Sequence, residues 1–175
     1  MPVKKSFPAI FALIMLCCAA VLYYSLSLSG CAAWSLIVSS YNNSAWELYK
    51  PLGIVYIFFT IIELSVLRPS LAHYLGARVI GMYVLCASAL AAGVLLGNVQ
   101  EQFCGMKFLI VGIISVSAAQ TVSYSINDST IRVEVFAVPL LVSVLCMLFL
   151  LIGLTFYPPD WLIFEENVNI FAFLL

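Results

Sequence analysis

One carboxylate and one amide stand inside stretches of this 175-residue sequence whose other side chains are apolar or bear only a hydroxyl. They are Glu63 in PLGIVYIFFTIIELSVL and Gln120 in FLIVGIISVSAAQTVSYSI. An ionisable group in such a setting is costly, and where it persists it commonly marks an ion path, a proton relay or a paired contact between helices. Glu63 lies four residues from the end of its stretch, with Arg68 and His73 beyond it. Its simplest reading is a carboxylate that reaches the interface and pairs with a basic group there. The sharper reading is a relay through Glu63 and His73, but no second buried acid or base follows to pass the proton onward. Gln120 is nearer mid-span, among Ser117, Thr121 and Ser123. It is suited to a hydrogen bond across helices or to contact with a solute.

The rest of the catalytic inventory is sparse. The sequence contains no phosphate-cradling glycine loop, no dinucleotide fingerprint, no HExxH and no Ser, His and Asp set placed to meet. His73 is the only histidine and no CxxC occurs, so neither a metal site nor a cofactor is expected, and an enzyme acting alone is not. Of six cysteines, Cys31 and Cys104 fall at the outer ends of their segments in the topology argued below, where disulfides persist, and they are the candidate pair. The sequons are Asn42-Asn43-Ser44 and Asn127-Asp128-Ser129, of which the same topology exposes only Asn42 to glycosylation.

These groups must be positioned by elements that live in lipid. The chain is 65% hydrophobic and 9% charged, where soluble domains carry about 25% charged residues. A soluble fold of this length lacks the polar surface to cover so much apolar side chain. A net charge of −1 excludes a basic field for nucleic acid. The expected fold is all-α: one membrane domain, 1–175, with five spans at about 7–30, 51–67, 79–97, 108–126 and 136–157, and an outer tail over 158–175. Four spans with a re-entrant or interfacial segment is the alternative. Residues Leu28-Ser29-Gly30-Cys31 resemble the lipobox of bacterial lipoproteins, but the preceding apolar run is longer than a signal-peptide core, so an uncleaved first span is expected.

Basic residues of short loops set the orientation. With the N-terminus inside, Lys4, Lys5, Arg68, Arg78 and Arg132 are cytoplasmic and only Lys50 and Lys107 lie outside, with the C-terminus outside or lumenal. Trp34, Trp46 and Trp161 then form an outer aromatic belt. In a eukaryote this implies the secretory pathway or plasma membrane.

The third span carries Ala77, Gly81, Ala89, Gly93 and Gly97 at four-residue spacing, interrupted by Leu85. Such residues share a helix face and let backbones approach closely, which in lipid is a main source of association. The fourth span offers Ser115, Ala119 and Ser123 at the same spacing beside Gly112. The expectation is that these two stripes pack on each other. The sharper alternative is a docking face for a partner subunit or a second copy. In layout alone, with closely spaced spans, cytoplasmic basic residues and an outer-loop cysteine, the middle of the chain resembles the tetraspan vesicle proteins of MARVEL type, from which a fifth span departs. The function expected is that of a non-enzymatic accessory, assembly or trafficking subunit. The alternative is a small self-associated channel or transporter with Glu63 and Gln120 near the path.

Overall fold

The computed structural model describes residues 7–28, 38, 44–67, 71–97, 103–129 and 137–156. They form five helices and, among the described residues, no strand: α1 (Phe7–Leu28), α2 (Ala45–Leu67), α3 (Leu71–Leu95), α4 (Cys104–Asn127) and α5 (Ala137–Phe156). Three of these contain segments long and apolar enough to cross a membrane, namely Ala45–Val66, Leu71–Leu95 and Cys104–Asn127. Within α1 the apolar stretch Ala9–Ser25 is shorter.

The inner helices begin earlier than the apolar runs suggest. Pro51 and Lys50 look like a natural start for α2, since proline suits a first turn. The helix instead begins at Ala45, leaving Pro51 inside it. Ser44 supplies the reason: its Oγ accepts the Glu47 N–H at 3.3 Å, and its carbonyl accepts Leu48 N–H at 3.0 Å. A serine followed three residues later by glutamate is an N-cap signature. Glu47 also pairs with Lys50 at 2.8 Å, three residues on in the same extra turn and a half. Helix α3 likewise starts at Leu71, eight residues before the expected Val79, and so takes in His73, Tyr74 and Arg78.

Helix α3 is the centre of the packing. It meets α4 along most of its length, α2 on a second side and α5 on a third, while α1 lies across α2 and α4. The first half of α2 is buried all round, with Leu48, Tyr49 and Leu52 at or near zero exposure. A core of Met15, Leu52, Val55, Phe59, Met82, Leu85, Phe108 and Val111 joins α1 to α4. The outward faces of α1, α4 and α5, with Leu13, Val21, Ile113, Val138 and Phe149, are apolar and exposed. That is the inside-out dressing of a bundle whose solvent is lipid.

The small stripe of α3 is filled by two helices. A Cβ on Gly81 would collide with Ser123 Oγ of α4 and with Tyr56 Oη of α2, and would stand 3.0 Å from the Ala119 carbonyl. A Cβ on Gly93 would meet Ala45 of α2 at 2.8 Å. Ala77 and Ala89 are buried along the same face. Gly97 does not belong to this groove: it follows the helix end with φ 53°, in the left-handed region where glycine carries no Cβ penalty. Its N–H donates to the Val94 carbonyl at 3.0 Å, closing the last turn. Gly112 also faces elsewhere, toward Leu16 of α1 and Leu52 of α2.

Candidate functional site

One charged side chain of α2 and one of α3 meet inside this bundle. Glu63 is 0% exposed and Arg78 3%, and Glu63 Oε2 forms an ion pair with Arg78 Nη2. The same oxygen accepts Tyr74 Oη–H at 2.8 Å and Tyr124 Oη–H at 3.1 Å. Arg78 donates from Nε to Tyr74 Oη at 3.0 Å, and from Nη1 to Gln120 Oε1 at 2.7 Å and to Tyr56 Oη at 3.4 Å. Gln120 Nε2 in turn donates to Met15 Sδ of α1 at 2.8 Å. Tyr56 Oη and Ser123 Oγ share a hydrogen bond of 2.6 Å beside the gap left by Gly81. Four helices therefore contribute to one connected polar cluster.

Helical spacing explains the convergence. Tyr56 and Glu63 are seven apart on α2, Tyr74 and Arg78 four apart on α3, and Gln120, Ser123, Tyr124 and Asn127 recur at three, four and seven on α4. Each set occupies one helix face. The three tyrosine rings also enclose the guanidinium, with Arg78 Cζ 5.3, 5.5 and 5.2 Å from the centroids of Tyr56, Tyr74 and Tyr124. At that range the ring quadrupoles attract a desolvated cation. The positive charge thus has three kinds of support: a carboxylate, a side-chain carbonyl and aromatic faces.

Depth sharpens the meaning of this burial. On α2 only the 12 residues 51–62 separate Lys50 from Glu63, and on α4 only the 12 residues 108–119 separate Lys107 from Gln120. At 1.5 Å per residue either stretch spans about 18 Å, against a hydrocarbon core of about 30 Å. If these helices cross a bilayer of ordinary thickness, the two polar layers cannot both clear it. Both are instead enclosed by protein: Lys50 is wholly buried against Glu47, and buried Lys107 donates to the Gly97 carbonyl at 2.9 Å.

Glu63 is therefore not a carboxylate reaching outward, as its position near the end of an apolar run suggested. Its basic partner is Arg78, which lies within α3 and not in the loop before it. His73 donates to the Asn127 carbonyl at 3.3 Å, and Arg68 lies outside the described residues. Gln120 is 2% exposed and bonded on both sides. Ser115 is fully buried, and its Oγ has no hydrogen-bond partner among the described residues. Cys104, one half of the candidate disulfide, is buried at the start of α4, while Cys31 and the candidate glycan site Asn42 lie outside the described residues. Among the described residues no group of three His, Cys, Asp or Glu side chains could hold a metal ion.

Tyr56, Tyr74, Arg78 and Tyr124 are the members that a search for isolated charges misses. The signal that does find them is the recurrence of polar residues at helical spacing on three successive apolar segments.

Chemically, the cluster is nearly closed. Glu63 Oε2 takes every donor that reaches the carboxylate, while Oε1 has no hydrogen-bond partner among the described residues. A narrow crevice between α3 and α4, lined by Tyr74, Ala77, Arg78, Ser123, Tyr124 and Asn127 and too tight to hold a water molecule, borders the guanidinium. Placing two charges out of water is costly, and removing one partner of such a pair commonly destabilises by about 3–5 kcal/mol. The arrangement is thus a cross-helix lock whose parts depend on one another. No family model, curated protein or solved structure matches the chain.

Proposed function

We propose that the chain is a non-enzymatic multi-pass membrane protein that crosses the bilayer five times and works through helix packing, as an accessory, assembly or trafficking subunit of a membrane complex. The observation that supports this reading is the use of the polar groups. Glu63, Arg78, Gln120 and three tyrosines are directed at one another across helices of the same bundle. Buried Leu52, Val55 and Phe59 on α2, and Val111 and Val116 on α4, with Ser115 the one polar side chain among them, lie between this cluster and the Lys50 and Lys107 layer. A continuous polar path would have to break that apolar layer. The small-residue face at Gly81 and Gly93 is occupied from within the chain, so a protein partner meets the bundle on the outward faces of α1, α4 or α5.

In the proposed topology the N-terminus is cytoplasmic and the C-terminus outside or lumenal. Lys50, Arg78 and Lys107 belong to helices. The remaining basic residues, Lys4, Lys5, Arg68 and Arg132, then all fall on the cytoplasmic side. Glycosylation scanning tests this: Asn42 accepts a glycan and Asn127 does not, whereas a glycan on Asn127 inverts the topology.

A small self-associated channel or transporter is the second reading, favoured by one observation, the buried Glu63 Oε1 with no hydrogen-bond partner among the described residues. Extraction in mild detergent, with measurement of the assembled mass and of what co-purifies, separates the two. A stoichiometric partner supports the subunit. A homogeneous self-oligomer, with liposome flux that Glu63→Gln and Gln120→Leu abolish while assembly persists, supports the channel.

A further inference from the structure

The bonds of the Glu63–Arg78 cluster divide by helix. The ion pair, Tyr74 to Glu63, Arg78 to Tyr74 and Arg78 to Tyr56 all lie within α2 and α3. Two of the three tyrosine rings around the guanidinium, Tyr56 and Tyr74, also belong to these helices. Helix α4 adds Gln120, Tyr124 and, through Tyr56, Ser123, but neither Gln120 nor Ser123 touches the carboxylate, and among the described residues α1 reaches the cluster through Met15. Only residues 68–70 separate α2 from α3. Two charges that are each costly in hydrocarbon are thus neutralised between neighbouring helices, before any later segment is required. By contrast, the ion pair at the other end of α2, Glu47 with Lys50, joins two residues of one helix.

We propose that α2 and α3 enter the bilayer together as a hairpin with Glu63 already paired to Arg78, so that neither helix is inserted with an exposed charge. The inference concerns biogenesis and goes beyond the subunit reading, since it holds whether the mature protein is a packing subunit or a channel. The pair then has a role that its contribution to the finished fold does not measure. Insertion depends on charge compensation between the two positions and not on the identity of either residue. The two positions are unequal, because an unpaired carboxyl can enter protonated, whereas a guanidinium stays charged.

The test uses the full chain synthesised into microsomes, with Asn42 and Asn127 replaced by Gln and a glycosylation acceptor introduced in turn into segments 68–70 and 98–102. The fraction of chains with these segments on opposite sides is read by pulse labelling, before packing or turnover matters. Glu63→Leu, which leaves Arg78 alone, lowers that fraction by about fivefold or more, and Arg78→Leu lowers it less. The double variant Glu63→Leu/Arg78→Leu and the exchange Glu63→Arg/Arg78→Glu both restore it. Two results overturn the proposal. In one, Glu63→Leu inserts as well as the parent. In the other, the double and exchange variants fail as badly as Glu63→Leu.

Discussion

Glu63 and Arg78, on neighbouring helices, form an ion pair with both side chains buried and with three tyrosines and a glutamine completing its surroundings. The pair is held from both sides: the carboxylate by two tyrosine hydroxyls, the guanidinium by a side-chain carbonyl and aromatic rings. Its thermodynamic signature follows from that enclosure. Loss of one partner strands the other, while loss of both removes the problem along with the attraction.

Arg78→Met in the purified protein therefore lowers unfolding stability by about 3–5 kcal/mol, and Glu63→Leu/Arg78→Met recovers most of the loss. Denaturant titration in detergent micelles, with helix packing followed by tyrosine and tryptophan fluorescence, measures both. Equal stability of the single and double variants shows that the charges are solvated in the folded state.

The close approach at Gly81 gives a second expectation. Even Gly81→Ala places a methyl group against Ser123, Tyr56 and the Ala119 backbone, so it loosens α3 from α2 and α4. Overpacking of this kind costs about 1–3 kcal/mol. Gly93→Leu, driven against Ala45, costs more, whereas Gly153→Leu, with nothing within 4 Å, is tolerated. Thermal aggregation of detergent-solubilised variants ranks the three, and a destabilised Gly153→Leu together with a neutral Gly93→Leu contradicts the packing described.

The 2.6 Å bond between Tyr56 and Ser123 ties α2 to α4 across the gap that Gly81 leaves open. Tyr56→Phe and Ser123→Ala each lose about 1 kcal/mol, and the double variant loses less than their sum. A coupling of about 0.6 kcal/mol matches cross-helix hydrogen bonds in other membrane bundles. Strict additivity in the double-mutant cycle indicates that the bond contributes nothing.

At Gly97 the backbone itself carries the constraint, with φ 53°. Gly97→Ala costs about 1–2 kcal/mol from the left-handed conformation alone. It also disturbs the carbonyl that holds Lys107. Hydrogen exchange localised to the end of α3 and the start of α4 reports the change, and unaltered protection there refutes it.

What the sequence by itself determined is the solvent and the class of element. A chain 65% hydrophobic with so few charges has to satisfy its backbone within helices and place apolar side chains outward. The helix bounds of α1 and α5 fall within two residues of the apolar segments 7–30 and 136–157, because those segments are uncharged and continuous. The earlier starts of α2 and α3 were hidden because Lys50 and Arg78, counted as interfacial charges, are enclosed by protein. The tertiary structure alone decided which polar residues belong together. Glu63 accepts from residues 11, 15 and 61 positions away, and a lone charge in an apolar run does not identify its partner before the helix faces are set against one another. The same holds for the glycines: their spacing marked a close-packed face, but only the crossing of α2 and α4 over α3 assigned Gly81 to Ser123 and Tyr56, and Gly93 to Ala45. Small residues state how near a neighbour can come, and the assembled bundle decides which neighbour it is.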